Sequence, residues 1–436
     1  MLPEEDISVH VRANGSLRDG RETVDRPRAG EKDLRVLHIV RTDKTVEKFF
    51  LPILQEQLKC GQTVDLAIGE LEGPSNYCGI VPIRFDLPRN ASPLALLRSI
   101  AFLRTHIKQQ RYDAILAHMP LVGVVGRLAA ASALNTRIGY VCHAFGFYPT
   151  RGLVARTVYR VLEVCLSQIT DSIVVLNEHD WNYVQSSRLA FRNVHKHKLS
   201  SVGVDVQWLL REAHKVDPRI TRAGLGIPER SRIVSFIGRL IKEKGIRRFL
   251  QIIAAMKGDQ DAHFLIVGDG PLWQEVSTAV HQLGIRDRVH LLGVRDDVPQ
   301  LLFVTDVVCL PTENEGSPVV LQEAMVLGAA IVASRVSGCT DVVEHGRTGL
   351  LVEIDDIAGY VRAIRTILDD PKVASALKTS AREVANTVFD VRVVAPCWAE
   401  AITQIATRPK HSTASLKALG LVFAALHRLG KPDSSK

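Results

Sequence analysis

A chain of 436 residues, 46% of them hydrophobic, is too long for one ordinary core, so two domains of roughly 200 residues are expected. Its seven cysteines (Cys60, Cys78, Cys142, Cys165, Cys309, Cys339 and Cys397) include no C-x-x-C pair, which argues against a disulfide framework and fits a reducing cytosol. The net charge of +8 lies in the first half, where residues 34–215 hold 22 Lys and Arg against 14 Asp and Glu, while residues 216–436 hold 27 against 25 and residues 1–33 hold 6 against 8. Such a basic half suggests a polyanionic partner, and with no zinc-finger, RRM or helix-turn-helix pattern the expectation turns from nucleic acid to an anionic membrane surface.

In chain order, residues 1–33 are polar, lack the apolar core of a signal peptide and are expected to form a disordered leader. From Leu34 short apolar runs alternate with longer amphipathic stretches: LRVLHIV, TVDLAI, YDAILAH, TRIGYVCH and DSIVVLN. After residues 211–230 the pattern restarts with RIVSFIGR, AHFLIVGDG, RVHLLG, DVVCLP and AAIVAS. Buried runs separated by helix-length segments predict parallel strands with crossover helices, hence an α/β chain of two Rossmann-like, doubly wound domains with a cleft between them. The Pro- and Gly-punctuated stretch 215–229 predicts a boundary, giving domains over 34–215 and 216–405, with a basic amphipathic tail over 406–436.

Two segments invite a membrane reading. Leu94–Arg104, continuing through Lys108 and Arg111, is basic and amphipathic, and its apolar stripe suits either a bilayer interface or the core. The tail run Ala418–Leu426, flanked by Lys410, Lys417, Arg428 and Lys431, is too short to span and suits interfacial anchoring or docking back onto the protein.

Three motifs bear on chemistry. Gly238-Arg239-Leu240-Ile241-Lys242-Glu243-Lys244-Gly245 follows a strand and enters a helix, so backbone N–H groups, Arg239 and Lys244 can meet a diphosphate; solvated basic residues on an ordinary turn are the plain alternative. Gly316, Ser317 and Pro318 shape a loop ahead of a helix expected to begin near Ser317, with Glu315 on the loop and Glu323 about two turns inside. A cap plus a surface charge would give the same spacing. His143 ends an apolar strand among aromatics and a glycine, which suggests a cleft position, although a packed histidine bonded to backbone gives the same pattern. Arg295-Asp296-Asp297 reads as a solvated turn rather than a metal site, because adjacent carboxylates face different ways.

Taken jointly, the motifs resemble the family 4 glycosyltransferases of the GT-B fold. Glu315 to Glu323 matches that family's E-x7-E signature, and Gly238 to Gly245 its phosphate-binding segment; Gly268-Asp269-Gly270-Pro271, Leu292-Gly293 and Gly346-Arg347-Thr348-Gly349 agree. The first half looks like the bacterial exopolysaccharide and capsule branch, through His118-Met119-Pro120-Leu121-Val122-Gly123, Gly126-Arg127-Leu128-Ala129, His143-Ala144-Phe145-Gly146-Phe147-Tyr148 and Gly203-Val204-Asp205.

The resemblance implies an acceptor-side first domain and a donor-binding second one. Arg239 and Lys244 would bind the donor diphosphate, with Gly238 in the same turn. Glu315 would hold the donor sugar's hydroxyls, Glu323 the ribose, Gly316 and Ser317 would offer backbone donors, Gly293–Arg295 would flank the base, and His143 would face the anomeric centre. It further implies a retaining, metal-independent transfer without a cofactor, from a nucleotide-sugar such as a UDP-sugar to a polyprenyl-diphosphate-linked or other glycan acceptor, at the cytoplasmic face of the membrane. A GT-B epimerase or phosphorylase and a non-catalytic binding subunit are the rival readings. One departure stands out: the glycine-rich loop many relatives carry after the first strand is here Arg41-Thr42-Asp43-Lys44-Thr45.

Overall fold

The computed structural model describes residues 33–73, 76–88, 91–147, 152–191 and 193–410. The expected leader, apart from Asp33, and the tail run Ala418–Leu426 lie outside them. The described chain forms two compact units, each built on one parallel sheet.

The sheet of the first unit holds β1 (Arg35–Thr42), β2 (Thr63–Glu70), β3 (Ile83–Arg84), β4 (Ala114–His118), β5 (Arg137–Cys142), β6 (Ser172–Val175) and β7 (His195–Lys198), in the order β3-β2-β1-β4-β5-β6-β7. Val36, Leu37, Ile39, Ile115, Leu116, Ile138 and Ile173 are all buried, because crossover helices cover both faces and every side chain along a central strand meets apolar cover. The helix Pro120–Ala130 lies close on this sheet: a Cβ on Gly126 would come within 2.7 Å of the Ala117 side chain, and one on Gly123 within 2.4 Å of the Tyr140 ring.

The second unit holds β8 (Arg232–Ile237), β9 (Ala262–Val267), β10 (Val289–Gly293), β11 (Val307–Leu310), β12 (Ala330–Ser334) and β13 (Leu350–Val352), in the order β10-β9-β8-β11-β12-β13. In both sheets the order reverses beside the first strand, between β1 and β4 and between β8 and β11. Beyond the carboxyl ends at such a reversal the flanking helices diverge and leave room for a ligand.

The division between units differs from the expected 215/216 boundary. Apart from Asn177–His179, the second unit begins at Ser200, because Leu209 and Ala213 of the helix Val206–Ala213 belong to that unit's apolar core. The chain returns at Ala395, within the helix Val391–Thr407, so the second unit ends before the expected residue 405. There Trp398 packs edge-on to Phe50 at 6.2 Å, and Ile405 lies against Gly139 of β5. Helix Pro93–Gln110 resolves the ambiguity of its stripe: Ile100, Leu103 and Ile107 are core, while Leu94, Leu97 and Phe102 stay exposed on the same helix as Arg98 and Lys108. No helix among the described residues is long and apolar enough to cross a membrane.

Candidate active site

In the second unit three loops leave the carboxyl ends of β8, β9 and β11 and are sewn together by main-chain contacts. Gly238 N donates to Val267 O at 2.9 Å, Leu240 N to Asp269 O at 3.0 Å and Leu272 N to Leu240 O at 3.1 Å. Glycine is required where these loops touch. A Cβ on Gly268, at φ 129°, would fall 2.0 Å from Gly238 O, and one on Gly270 would fall 2.5 Å from Leu240 O.

The single turn Lys242–Lys244 continues into Gly245, whose φ of 77° opens the helix Ile246–Ala255. A Cβ there would sit 1.7 Å from Pro311 O, so the β8 and β11 loops are in backbone contact. Glu313 N donates to Glu243 O at 2.7 Å and the buried Thr312 hydroxyl donates to the same oxygen at 2.9 Å. Arg248 anchors the loop from below, with both terminal nitrogens donating to Glu313 Oε1 at 3.1 and 3.2 Å and Nε to Asp355 at 2.9 Å.

This stitching brings Lys244 and Glu315 together, with Nζ 2.5 Å from Oε1 and Glu315 only 8% exposed. Arg239 is half-buried on the same turn; its carbonyl accepts from Ile241 N at 2.9 Å, while its side chain makes no hydrogen bond or ion pair among the described residues. Behind Glu315, Gly338 closes the loop from β12, since a Cβ there would lie 2.5 Å from Glu315 O and 2.8 Å from Gly316 O. The Ser317 hydroxyl accepts from Gln322 Nε2 at 2.9 Å, and Gln322 Oε1 accepts from Ser201 at 2.8 Å. Gly316 and Ser317 precede the helix Val319–Leu327, which begins two residues later than expected because Pro318 takes the cap position with extended backbone. Glu323 therefore lies about one turn inside this helix, not two, and is half-buried.

Gly293 joins the group through its carbonyl, which accepts from Gly268 N at 2.7 Å, and its positive φ of 68° turns the chain beside the Trp273 ring. Arg295 is exposed and grips Asp297 with two bonds of 2.7 and 2.6 Å, an interaction that lowers the Asp297 pKa. The structure thus pairs Lys244 with Glu315, sets Gly316 beside it against Gly338, links Gly238 and Gly293 through the β9 loop, and leaves Arg295 in its own ion pair with Asp297.

His143 belongs to the first unit, just past β5. It is half-buried, its Nε2 is buried without a hydrogen-bond partner, and burial pushes its pKa down to about 4. Its ring stands edge-on to Phe50 at 5.7 Å and 5.9 Å from the His118 ring. His118 and His38, fully buried at the ends of β4 and in β1, escaped the sequence reading as site residues. Like His143, His118 closes an apolar strand run, AILAH, and that is the signal in the sequence that marks it. The glycine-free loop after β1 is braced by side chains instead: Thr42 Oγ1 accepts from Thr45 N at 3.3 Å, and the buried Asp43 accepts from Lys44 N at 2.7 Å and Glu72 N at 2.9 Å.

Two family models match the chain, "Glycosyl transferase 4-like domain" over residues 46–194 and "Glycosyl transferases group 1" over residues 217–384. Between them they cover β2–β6 of the first sheet and all of the second, with the loops that carry Lys244 and Glu315. The chain belongs to the family 4 glycosyltransferases. This glycosyltransferase is 27% identical over 311 residues to the Escherichia coli UDP-Gal:alpha-D-GlcNAc-diphosphoundecaprenol alpha-1,3-galactosyltransferase, covering 70% of this chain and 79% of the relative. It is 24% identical to the Bacillus subtilis putative glycosyltransferase EpsD, over 83% and 94% of the two chains. Its fold is that of GT-B proteins. Sucrose-phosphate synthase from Thermosynechococcus elongatus superposes with a TM-score of 0.73 at 20% identity, over 85% of this chain and 99% of the other. Anabaena HepE in complex with UDP-glucose gives 0.68 at 21%, over 85% and 100%.

Proposed function

We propose that this glycosyltransferase is a retaining, metal-independent enzyme that moves a sugar from a UDP-sugar to a lipid-linked acceptor during assembly of a bacterial surface polysaccharide. The observation that carries the reading is the stitched set of loops on β8, β9 and β11, which holds the Arg239 side chain without a partner among the described residues and Lys244 against Glu315. When the bond from the anomeric carbon to the diphosphate breaks, negative charge concentrates on the departing oxygen. Fixed cations stabilise that charge most where it develops, and Arg239 and Lys244 supply it without a metal ion. The backbone N–H groups of Gly316 and Ser317 precede a helix N-terminus, where further donors and a partial positive charge favour an anion or a hydroxyl.

Lys244 has three donors and Glu315 two acceptor oxygens, so the pair can persist while each addresses the ligand, Lys244 the diphosphate and Glu315 the sugar hydroxyls. In this reading Glu323 holds the ribose and the turn Gly293–Arg295 flanks the base. The acceptor hydroxyl attacks from the face the diphosphate leaves, the new C–O bond forms as the old one breaks, and the hydroxyl proton passes to the departing phosphate oxygen. No protein nucleophile is used, and His143 faces the anomeric centre.

The lipid-linked acceptor and UDP donor are favoured by the names of the E. coli relative and the HepE complex. A peripheral position at the inner membrane face is favoured by the positive surplus of the first half and by the exposed Leu94, Leu97 and Phe102 near Arg98 and Lys108. Incubating the purified protein with UDP-, GDP- and ADP-sugars, a lipid-linked acceptor extract and excess EDTA tests the proposal. Transfer from a UDP-sugar supports it; transfer that requires added Mg2+ or Mn2+, or occurs only from another nucleotide, contradicts it.

A further inference from the structure

A directed chain of hydrogen bonds runs through the core of the first unit and ends beside His143. On the helix Val391–Thr407, the Thr403 hydroxyl donates to Ala399 O at 2.8 Å, so its oxygen is left to accept from Gln62 Nε2 at 2.8 Å. That fixes the Gln62 amide, whose Oε1 accepts from Gln57 Nε2 at 2.9 Å. Gln57 then presents only Oε1 to His38, 2.9 Å from Nε2, and His38 must carry its proton there. His38 Nδ1 is consequently a bare acceptor, 3.0 Å from His118 Nε2, and His118 must donate from that nitrogen. Both histidines are neutral, since burial lowers their pKa values, His38 to about 4.

The last link has no partner. His118 Nδ1 is a buried lone pair that no donor meets among the described residues, and His143 Nε2, on the neighbouring ring, is buried and unmet as well. The chain turns abruptly at this point: Met119, which follows, adopts φ 67°. A buried polar atom without a partner is disfavoured unless a ligand or water completes it. We infer that His118 Nδ1 accepts a hydrogen bond from a hydroxyl of the sugar substrate at His143, and that Thr403 is a positioning residue that sets the His118 tautomer through Gln62, Gln57 and His38. The inference rests on the proposed transferase activity for its substrate, but the tautomer is a property of the protein alone.

Two measurements separate these parts. Nitrogen-15 NMR of the histidine side chains in the full chain at neutral pH, assigned with His118→Asn, should show His118 and His38 both neutral and protonated on Nε2. Finding His118 protonated on Nδ1, or charged, overturns the inference whether or not transfer is detected. In transfer assays His118→Phe, which keeps the ring without its acceptor, should lower kcat/KM at least tenfold. His118→Asn, whose Oδ1 can stand near the Nδ1 position, should recover it to within about threefold. Thr403→Val should lower kcat/KM several-fold and Thr403→Ser restore it. Equal activity of His118→Phe and wild type, or a loss in His118→Asn as large as in His118→Phe, contradicts the role. If His118→Phe does not fold, the Thr403 pair and the NMR result decide.

Discussion

Lys244 and Glu315, on loops from two neighbouring strands, meet at 2.5 Å only because Gly245 lets the first loop lie directly on Pro311 of the second. The pair and Arg239 should therefore fail differently. Arg239→Ala and Lys244→Ala should each lower turnover about a hundredfold or more, the scale of losing one preorganised group worth roughly 2–4 kcal/mol in the transition state. The Arg239 side chain has no partner among the described residues, so its removal should leave stability unchanged. Lys244→Ala leaves the buried Glu315 carboxylate unpaired and should cost about 1–3 kcal/mol. Steady-state kinetics with urea denaturation of both variants checks this; near-normal turnover in both removes the phosphate role.

Gly245→Ala should be among the most damaging single-methyl additions in the second unit. The new Cβ would overlap Pro311 O, and φ 77° is strained for alanine, so the two loops must separate. A loss of at least about 2 kcal/mol in stability, with weakened UDP binding by calorimetry, is expected. Gly258→Ala, with nothing near its Cβ, is the control.

The glycines and apolar strand runs were legible in the sequence because each answers a local demand: a positive φ, a close backbone approach, or apolar cover on both faces. The strands that escaped lie away from the sheet centres. β3 has two residues, β7 reads HKHK and is only half-buried, and β13 is the three-residue LLV at the other end of the second sheet. The 200 and 395 crossings escaped because they depend on which core Leu209 and Trp398 join. The Lys244–Glu315 pair and the Thr403-to-His118 chain were equally hidden, since partners as far apart as Gln62 and Thr403 carry no spacing signal.

Stability should fall as the solution is acidified from pH 7 to pH 5. His38, His143 and His197 have folded pKa values of about 4, below the unfolded value of 6.5, because burial disfavours the charged ring. Above pH 6.5 neither state binds these protons and nothing is lost. Between about 6.5 and 4 the unfolded chain binds them and the folded chain does not, so unfolding is favoured. The fully buried His38 alone should account for about 2 kcal/mol between pH 7 and 5. Urea denaturation at the two pH values checks this; equal stabilities contradict the neutral, buried assignment.

Binding to vesicles should depend on their charge and on salt. Arg98, Lys108 and Arg111 are exposed, whereas Arg104 donates to Leu128 O at 3.1 Å and serves the fold as well. Neutralising the three exposed residues together should weaken sedimentation with anionic vesicles by about 1 kcal/mol for each charge near the surface, and raised salt should do the same. Equal binding to neutral and anionic vesicles, or none to either, contradicts the membrane proposal.

In the proposed reaction the diphosphate leaves from the face the acceptor attacks, held by Arg239 and Lys244. The most direct test is proton NMR of the anomeric centre in the product formed from an α-linked UDP-sugar. An α-linked product, lost in the Arg239→Ala and Lys244→Ala proteins, is the predicted result. A β-linked product would contradict it.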